Sequence, residues 1–193
     1  MSRELAIKLV EELQGLYDQP GRYYHNFKHI LQVISFLKEN LDKINTPRVV
    51  FWATLYHDII YDTHSKFGQN EKDSAEYATS ELSDKLSEEE LKQITLYIEA
   101  TIRHNIDLND NDLYLFLDAD ISILGAEPEI YDNYAVNIRK EYSWAQDGQY
   151  ANARIEILQD FLNRERIYTT EIAHDTLESQ ARINISNEIK RLS

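Results

Sequence analysis

Three short stretches of the chain place histidine or aspartate beside apolar residues, where such side chains can do chemistry. In the stretch YHNFKHILQV, His25 and His29 are four residues apart, so a helix would present both on one face. His29 lies at the edge of the apolar stripe of that helix, and His25 lies one turn earlier. Both imidazoles could therefore face one cavity. The alternatives are an exposed His25 near a helix start and a core His29 hydrogen-bonded to a carbonyl group.

His57 and Asp58 lie in a stretch, VVFWATLYHDII, that is otherwise almost wholly apolar. Burying an ionised carboxylate without a partner is costly in free energy. A metal ion would satisfy the carboxylate and the imidazole together, whereas the alternative is a pair satisfied by backbone or tyrosine groups. A second His-Asp pair, His174-Asp175, has polar neighbours and is expected on a solvated helix surface.

The stretch FLDADISILG contains two aspartates two positions apart, so on a helix their side chains point about 200° from each other. We expect Asp120 to be more deeply buried than Asp118, because every residue three or four positions from Asp120 is apolar. Together with His29, His57 and Asp58, Asp120 would complete a site of two imidazoles and two carboxylates. Such a site suits a divalent ion (Mn, Fe, Co, Ni, Zn or Mg), and the chemistry it suggests is metal-assisted hydrolysis.

The elements that must position these residues are helices, because apolar spacings of three and four dominate and no sustained period-two segment is found. The chain is predicted to be all-α. Thr46-Pro47 and the pair Ser87 and Glu90 are typical of helix starts. The predicted helices span about 3–18, from Asn26 to about 41, from Thr46 through His57 and Asp58, about 70–86, about 87–104, a segment closed by Gly125, and about 127–146, 148–164 and 170–191, with loops at 63–69 and 105–112.

Composition limits the classes of partner. The formal net charge of −14 opposes binding to long nucleic acids, which attract lysine and arginine. There is no cysteine, so thiolate ligands are excluded and a reducing compartment is favoured. We expect a cytoplasmic protein without a membrane span, since the N-terminal segment is charged and amphipathic and apolar residues never run uninterrupted for about 18 positions. The length fits a single domain of residues 1–193, with a core of about 20–126 and C-terminal helices of about 127–193.

The order of these residues along the chain resembles that of the HD-domain superfamily of metal-dependent phosphohydrolases, the matching strings being HILQV, YHD and ADI. The combination of RYYHNFKH, HDIIYD, NEKDSA, TIRHN and FLDADISILG is also similar to a bacterial group described as predicted HD-superfamily metal-dependent phosphohydrolases, over roughly residues 20–190. The resemblance implies an HD-domain helical bundle with additional C-terminal helices. It also implies that His29, His57, Asp58 and Asp120 bind the metal ion.

Further residues are candidates for catalytic and substrate-binding roles. The string YHNFKH is similar to the opening of the metal-binding region of cyclic-nucleotide phosphodiesterases, which implies that His25 is the general acid. Asp58 and Glu71 are candidate catalytic groups, and Asp62 is a candidate substrate contact; Asp62 and Glu71 could instead order a metal-bound water, orient a ligand histidine or cap a helix. Arg103 and His104 are further candidate substrate contacts, whose alternative roles are to complement the dipole at a helix end or to bind a second metal.

These residues predict a metal-dependent phosphohydrolase that cleaves a phosphate ester or anhydride of a small metabolite, with a nucleotide as the preferred substrate. The first alternative is a non-catalytic HD domain that binds metal or nucleotide as a sensor or docking module. The second is a purely structural helical protein whose buried histidines and aspartates satisfy one another. The sequence is compatible with a homo-oligomer as well as with a monomer.

Overall fold

The computed structural model describes residues 3–105 and 108–193, together with the side chains of Lys8 and of residues 10 onward within those ranges. Residues 106 and 107 of the predicted loop at 105–112 lie outside the described residues, as do the first two residues of the N-terminal segment. The described part of the chain is all-α. Its α-helices are α1 (Arg3–Tyr17), α2 (Phe27–Glu39), α3 (Pro47–Tyr56), α4 (Gln69–Leu82), α5 (Glu88–Ala100), α6 (Asn111–Asp120), α7 (Pro128–Glu141), α8 (Asp147–Asn163) and α9 (Glu171–Leu192), with 3-10 turns at Leu41–Lys43 and Ile121–Gly125.

Side-chain caps begin several of these helices where the sequence predicts them. The Asn26 side chain accepts a hydrogen bond from the Lys28 amide at the start of α2. Ser87 and Glu90 form a reciprocal capping box at the start of α5. Such caps satisfy amides in the first turn that have no partner within the helix. Thr46 does precede α3, but its hydroxyl donates to Asp112 instead of capping the helix.

Several helices end earlier than predicted, α4 at Leu82 and α7 at Glu141 among them, and two of the early ends concern candidate site residues. Helix α3 ends at Tyr56, so His57 and Asp58 lie in the turn that follows it and not within the helix. Beyond this end, the Ile60 amide donates to the Ser74 side chain of α4, 3.1 Å away, and not to a carbonyl of α3. Helix α5 likewise ends at Ala100, which places Arg103 and His104 in the turn beyond it. His104 adopts a left-handed backbone conformation, with φ of 46°.

The chain divides into two compact units, Met1–Leu117 and Asp118–Ser193. In the first unit α3 packs against α2, α4 and α5 and is the central helix, with Val50, Ala53 and Leu55 buried. Its Phe51 side chain is nevertheless exposed, so the helix is not buried all round. The central position of α3 brings its C-terminal end, and the turn that carries His57 and Asp58, among the neighbouring helices.

In the second unit α9 packs against α7, α8 and the 3-10 turn that ends at Gly125. A Cβ atom at Gly125 would lie 2.6 Å from the Leu177 Cβ atom, so this close approach requires glycine. The buried Arg154 guanidinium pairs with Glu188 of α9 at 2.9 Å. No helix in residues 3–105 or 108–193 has the length and apolar character required to cross a membrane. The assignment of residues 1–193 to a single domain stays a prediction.

Candidate metal centre

Three potential ligands meet in the first unit. His29 lies in the first turn of α2, and His57 and Asp58 follow α3. The His29 and His57 Nε2 atoms are 3.2 Å apart, and the Asp58 Oδ2 atom lies 3.7 Å from the first and 3.3 Å from the second. Both imidazoles are buried, with 3% and 1% of their surface exposed. The three donor atoms therefore form a compact triangle in a largely dry environment.

The size of this triangle is compatible with one metal ion. Metal–nitrogen and metal–oxygen bonds of about 2.1 Å place two ligand atoms about 3.0 Å apart at a right angle and about 3.4 Å apart in a tetrahedron. The observed separations of 3.2, 3.3 and 3.7 Å need only small adjustments to meet these values. Two imidazoles and a carboxylate suit Mn, Fe, Co, Ni or Zn. The residues present fit a divalent ion.

The His57 ring is oriented by the helix that precedes it. Its Nδ1 atom lies 3.0 Å from the Thr54 carbonyl oxygen, which can only accept a hydrogen bond. Nδ1 therefore carries a proton whether the ring is neutral or charged, and the neutral ring that a metal ion requires has its lone pair on Nε2, the atom that faces His29 and Asp58. A hydrogen bond of this kind fixes the tautomer of ligating histidines.

Asp58 is an anion despite its surroundings. Burial acts to raise its pKa, but the positive charge of a protonated His57 and the hydrogen bond from that ring act to lower it. The charges of His25 and His29 act in the same direction, and together these groups hold the pKa of Asp58 well below its usual value. The carboxylate is thus ionised at neutral pH and is an available metal ligand.

His25 lies beside this triangle, in the turn directly before the N-cap of α2. Its ring stacks on Tyr61 with the centroids 4.2 Å apart, and it lies 6.1 Å from the His29 ring. The two rings are thus close to each other, and the expectation that both face one cavity stays a prediction. The role of His25 as a general acid stays a prediction.

Glu71 lies half-buried in the first turn of α4. Burial raises the pKa of Glu71, a backbone hydrogen bond opposes that rise, and the negative charge of Asp58 adds to it. The charges of His104 and His25 act in the opposite direction. Glu71 is therefore in electrostatic contact with three residues predicted to form the site, although its catalytic role stays a prediction.

The candidate substrate contacts lie in exposed or half-exposed turns. Asp62 is exposed, and its Oδ1 atom accepts a hydrogen bond from the His64 amide at 2.9 Å, which closes the turn after Tyr61. Arg103 is exposed and its guanidinium lies 5.2 Å from the centroid of the Phe67 ring. His104 is half-buried. Substrate binding by these residues stays a prediction.

The expected burial of the two aspartates in α6 is wrong. Asp118 has 1% of its surface exposed, whereas Asp120 is only partly buried. The Asp118 carboxylate accepts hydrogen bonds from the Thr169 amide at 2.9 Å and from the Thr170 amide and hydroxyl at 2.7 and 2.6 Å. These bonds hold the residues that begin α9, and they give Asp118 a structural role. Asp120 lies in the second unit, and its role as the fourth ligand stays a prediction.

Two residues with notable contacts were not singled out by the sequence. Arg22 donates hydrogen bonds to carbonyl groups in the turns that carry His25 and Asp58. The available signal was its place in the string RYYHNFKH, directly before two tyrosines. Phe67 is 75% exposed in the loop before α4, where a large apolar side chain is unexpected. By contrast, His174-Asp175 lies on a partly exposed surface of α9, as predicted.

The HD domain family model matches residues 26–138 of the chain. Neither the curated proteins nor the solved structures searched contain a match. The matched range contains the triangle of His29, His57 and Asp58, and also the proposed fourth ligand, Asp120. Because the match covers more than half of the 193 residues, the chain belongs to the HD domain family.

Proposed function

We propose that the protein is a metal-dependent phosphohydrolase that cleaves a phosphate ester or anhydride of a small metabolite, with a nucleotide as the preferred substrate. The observation that carries this proposal is the convergence of the His29 and His57 Nε2 atoms with the Asp58 Oδ2 atom, within 3.2 to 3.7 Å of one another. Membership of the HD domain family supports phosphate chemistry as the use of such a site.

His29, His57 and Asp58 would hold the ion, with Asp120 as the fourth ligand. A divalent ion polarises a phosphoryl oxygen and makes water a stronger nucleophile at neutral pH. The chain supplies the proton transfers. Glu71, whose pKa is raised by burial, is the proposed base that takes a proton from the attacking water.

The remaining roles concern the leaving group and the substrate. Protonated His25 donates to the leaving oxygen, and its stacking on Tyr61 holds the imidazole in one orientation. Arg103 and His104 are the proposed contacts for phosphate oxygens, since a guanidinium and a protonated imidazole both donate to anions. Asp62 is the proposed third substrate contact. The Arg103 guanidinium supplies local positive charge in a chain whose formal net charge is −14.

The exposed Phe67 ring supports a nucleotide as substrate. Its ring lies beneath the Arg103 guanidinium, and four residues later the chain reaches Glu71. A planar base can stack on such a ring while its phosphate reaches the arginine, and base stacking contributes about 1–3 kcal/mol. The loop before α4 is therefore the proposed contact for the base.

Replacing Phe67 by alanine is expected to raise KM for a nucleotide about fivefold, because about 1 kcal/mol of stacking is lost. The value of kcat should change little, since the ring takes no part in the proposed metal binding or proton transfers. The measurement is steady-state kinetics with a nucleotide and with a base-free phosphate ester such as glycerol phosphate. Phe51→Ala removes another exposed phenyl ring, on α3, and serves as the matched control. Equal changes in KM for the two substrates would argue against base stacking.

The rival function is a non-catalytic HD domain that binds metal or nucleotide as a sensor or docking module. A screen of nucleoside mono-, di- and triphosphates and cyclic nucleotides, with Mn, Co, Ni and Mg in turn, tests the proposal. Phosphate release by the wild type that is lost in Asp58→Ala supports hydrolysis. Tight nucleotide binding without turnover under any of these conditions supports the sensor. Protein purified without chelators that contains no transition metal and binds none would support the purely structural alternative.

A further inference from the structure

Arg22 forms an unusual set of hydrogen bonds for an arginine, because it donates to four backbone carbonyl oxygens. Its Nε atom donates to the His25 carbonyl at 2.5 Å. Its Nη1 atom donates to the carbonyls of Leu16 and Ile59 at 3.3 and 3.2 Å, and its Nη2 atom donates to that of Asp58. The acceptors lie in three segments: the end of α1, the turn before α2, and the turn after α3.

Two tyrosine rings enclose the same guanidinium. The Arg22 Cζ atom lies 4.7 Å from the Tyr17 centroid and 5.5 Å from the Tyr61 centroid. Tyr17 is fully buried and its hydroxyl donates to the Leu55 carbonyl of α3 at 3.0 Å. Tyr61 in turn stacks on His25. The guanidinium is therefore held by both hydrogen bonds and aromatic faces, which restrict its orientation.

Three of the four carbonyls that Arg22 binds, those of His25, Asp58 and Ile59, belong to turns, and the fourth lies in the last turn of α1. One turn carries His25 and leads into the helix of His29, and the other carries Asp58 directly after His57. The planar fork of a guanidinium can bind several carbonyls at fixed relative positions, which the compact ammonium group of lysine cannot do. A single side chain thus spans the two turns that carry the proposed acid and the proposed ligands.

We propose that Arg22 is a positioning residue, which fixes the turn of His25 relative to the turn of Asp58 and so sets the geometry of the metal centre. The inference rests on the proposed metal site. It assigns Arg22 no contact with the substrate. Residues that orient ligands from outside the coordination sphere typically change metal affinity by about 10- to 100-fold when replaced.

The test uses Arg22→Lys, which keeps the positive charge, and Arg22→Gln, which removes it. Co²⁺ affinity is measured by calorimetry, and the geometry of bound Co²⁺ is followed by its visible absorption spectrum. We expect Arg22→Lys to remain folded by circular dichroism, to bind Co²⁺ about tenfold more weakly, and to show a shifted spectrum. Arg48→Lys is the matched control, because Arg48 also donates to a carbonyl, that of Lys85, but at an exposed position. It should match the wild type.

A second measurement needs no metal. The imidazole NMR signals of His25 and His57 are recorded in the metal-free wild type and in the variants. Displaced His25 signals in Arg22→Lys support positioning, whereas unchanged histidine signals with wild-type Co²⁺ affinity and spectrum would overturn it. Failure of both Arg22 variants to fold would also overturn it, since Arg22 would then hold the whole unit together. If the wild type binds no ion, the proposed function fails, while the histidine signals still report whether Arg22 orders the two turns.

Discussion

Replacing His57 by alanine is expected to remove the bound divalent ion and to lower turnover about a thousandfold or more, since groups that act as a unit in catalysis lose nearly all activity when one is deleted. The substitution deletes an Nε2 atom that lies 3.2 Å from the Nε2 atom of His29 and 3.3 Å from Asp58 Oδ2. The three remaining proposed ligands, His29, Asp58 and Asp120, cannot retain an ion with comparable affinity. Elemental analysis of the purified variant and phosphate-release kinetics measure the two effects.

The chain offers a matched control in its other His-Asp pair. His174→Ala removes an imidazole that also precedes an aspartate, but on the partly exposed surface of α9. This variant should keep the ion and the turnover of the wild type. A His57→Ala protein shown to be free of metal, yet as active as the wild type, would rule out metal-dependent hydrolysis at this centre.

The two aspartates at the end of α6 should give opposite results when each is replaced by alanine. Asp118→Ala is expected to lower the free energy of unfolding by about 3 kcal/mol, because a buried, charged acceptor of hydrogen bonds at a helix start is lost. Its metal content should be unchanged. Asp120→Ala is expected to lose most of the bound metal and to change the free energy of unfolding by less than about 1 kcal/mol, because Asp120 is only partly buried.

Denaturant unfolding of the metal-free variants measures the free energy of unfolding, and elemental analysis of the purified variants measures the metal content. The use of metal-free protein is essential, since an ion that binds only the folded state would itself stabilise it. A loss of metal in Asp118→Ala without a loss of stability would exchange the roles assigned to the two residues. Full metal content in Asp120→Ala would require a different fourth ligand.

The all-α fold was predictable because the signals that create helices are local. Apolar spacing, Asn26 and the pair Ser87 and Glu90 lie within a few residues of the structures they specify. The ends of α3 and α5 were less predictable. Just beyond the end of α3, the Ile60 amide binds the Ser74 side chain, which lies 14 positions along the chain. No local sequence pattern predicts such a contact or the exact residue at which the helix ends.

The residues of the candidate metal centre were also only partly predictable from the sequence. His57 and Asp58 could be identified because a carboxylate among apolar residues requires a partner. The burial of Asp118 and Asp120 was predicted wrongly because near neighbours do not reveal partners such as Thr169, which lies 51 residues along the chain from Asp118. Arg22 was missed because its acceptors are carbonyls, which every residue possesses.

The last turn of α3 uses its carbonyl groups in a way that bears on metal exchange. The Ala53 carbonyl accepts a hydrogen bond from the His57 amide, and the Thr54 carbonyl accepts one from the His57 ring. The Leu55 carbonyl accepts a hydrogen bond from the Tyr17 hydroxyl. The same bonds thus complete the helix end and orient the imidazole, so the polypeptide itself sets the position of the His57 ligand. Removal of the ion by a chelator and its later replacement should then require no refolding. The identity of the bound ion would depend on which metals are available more than on the folding of the chain.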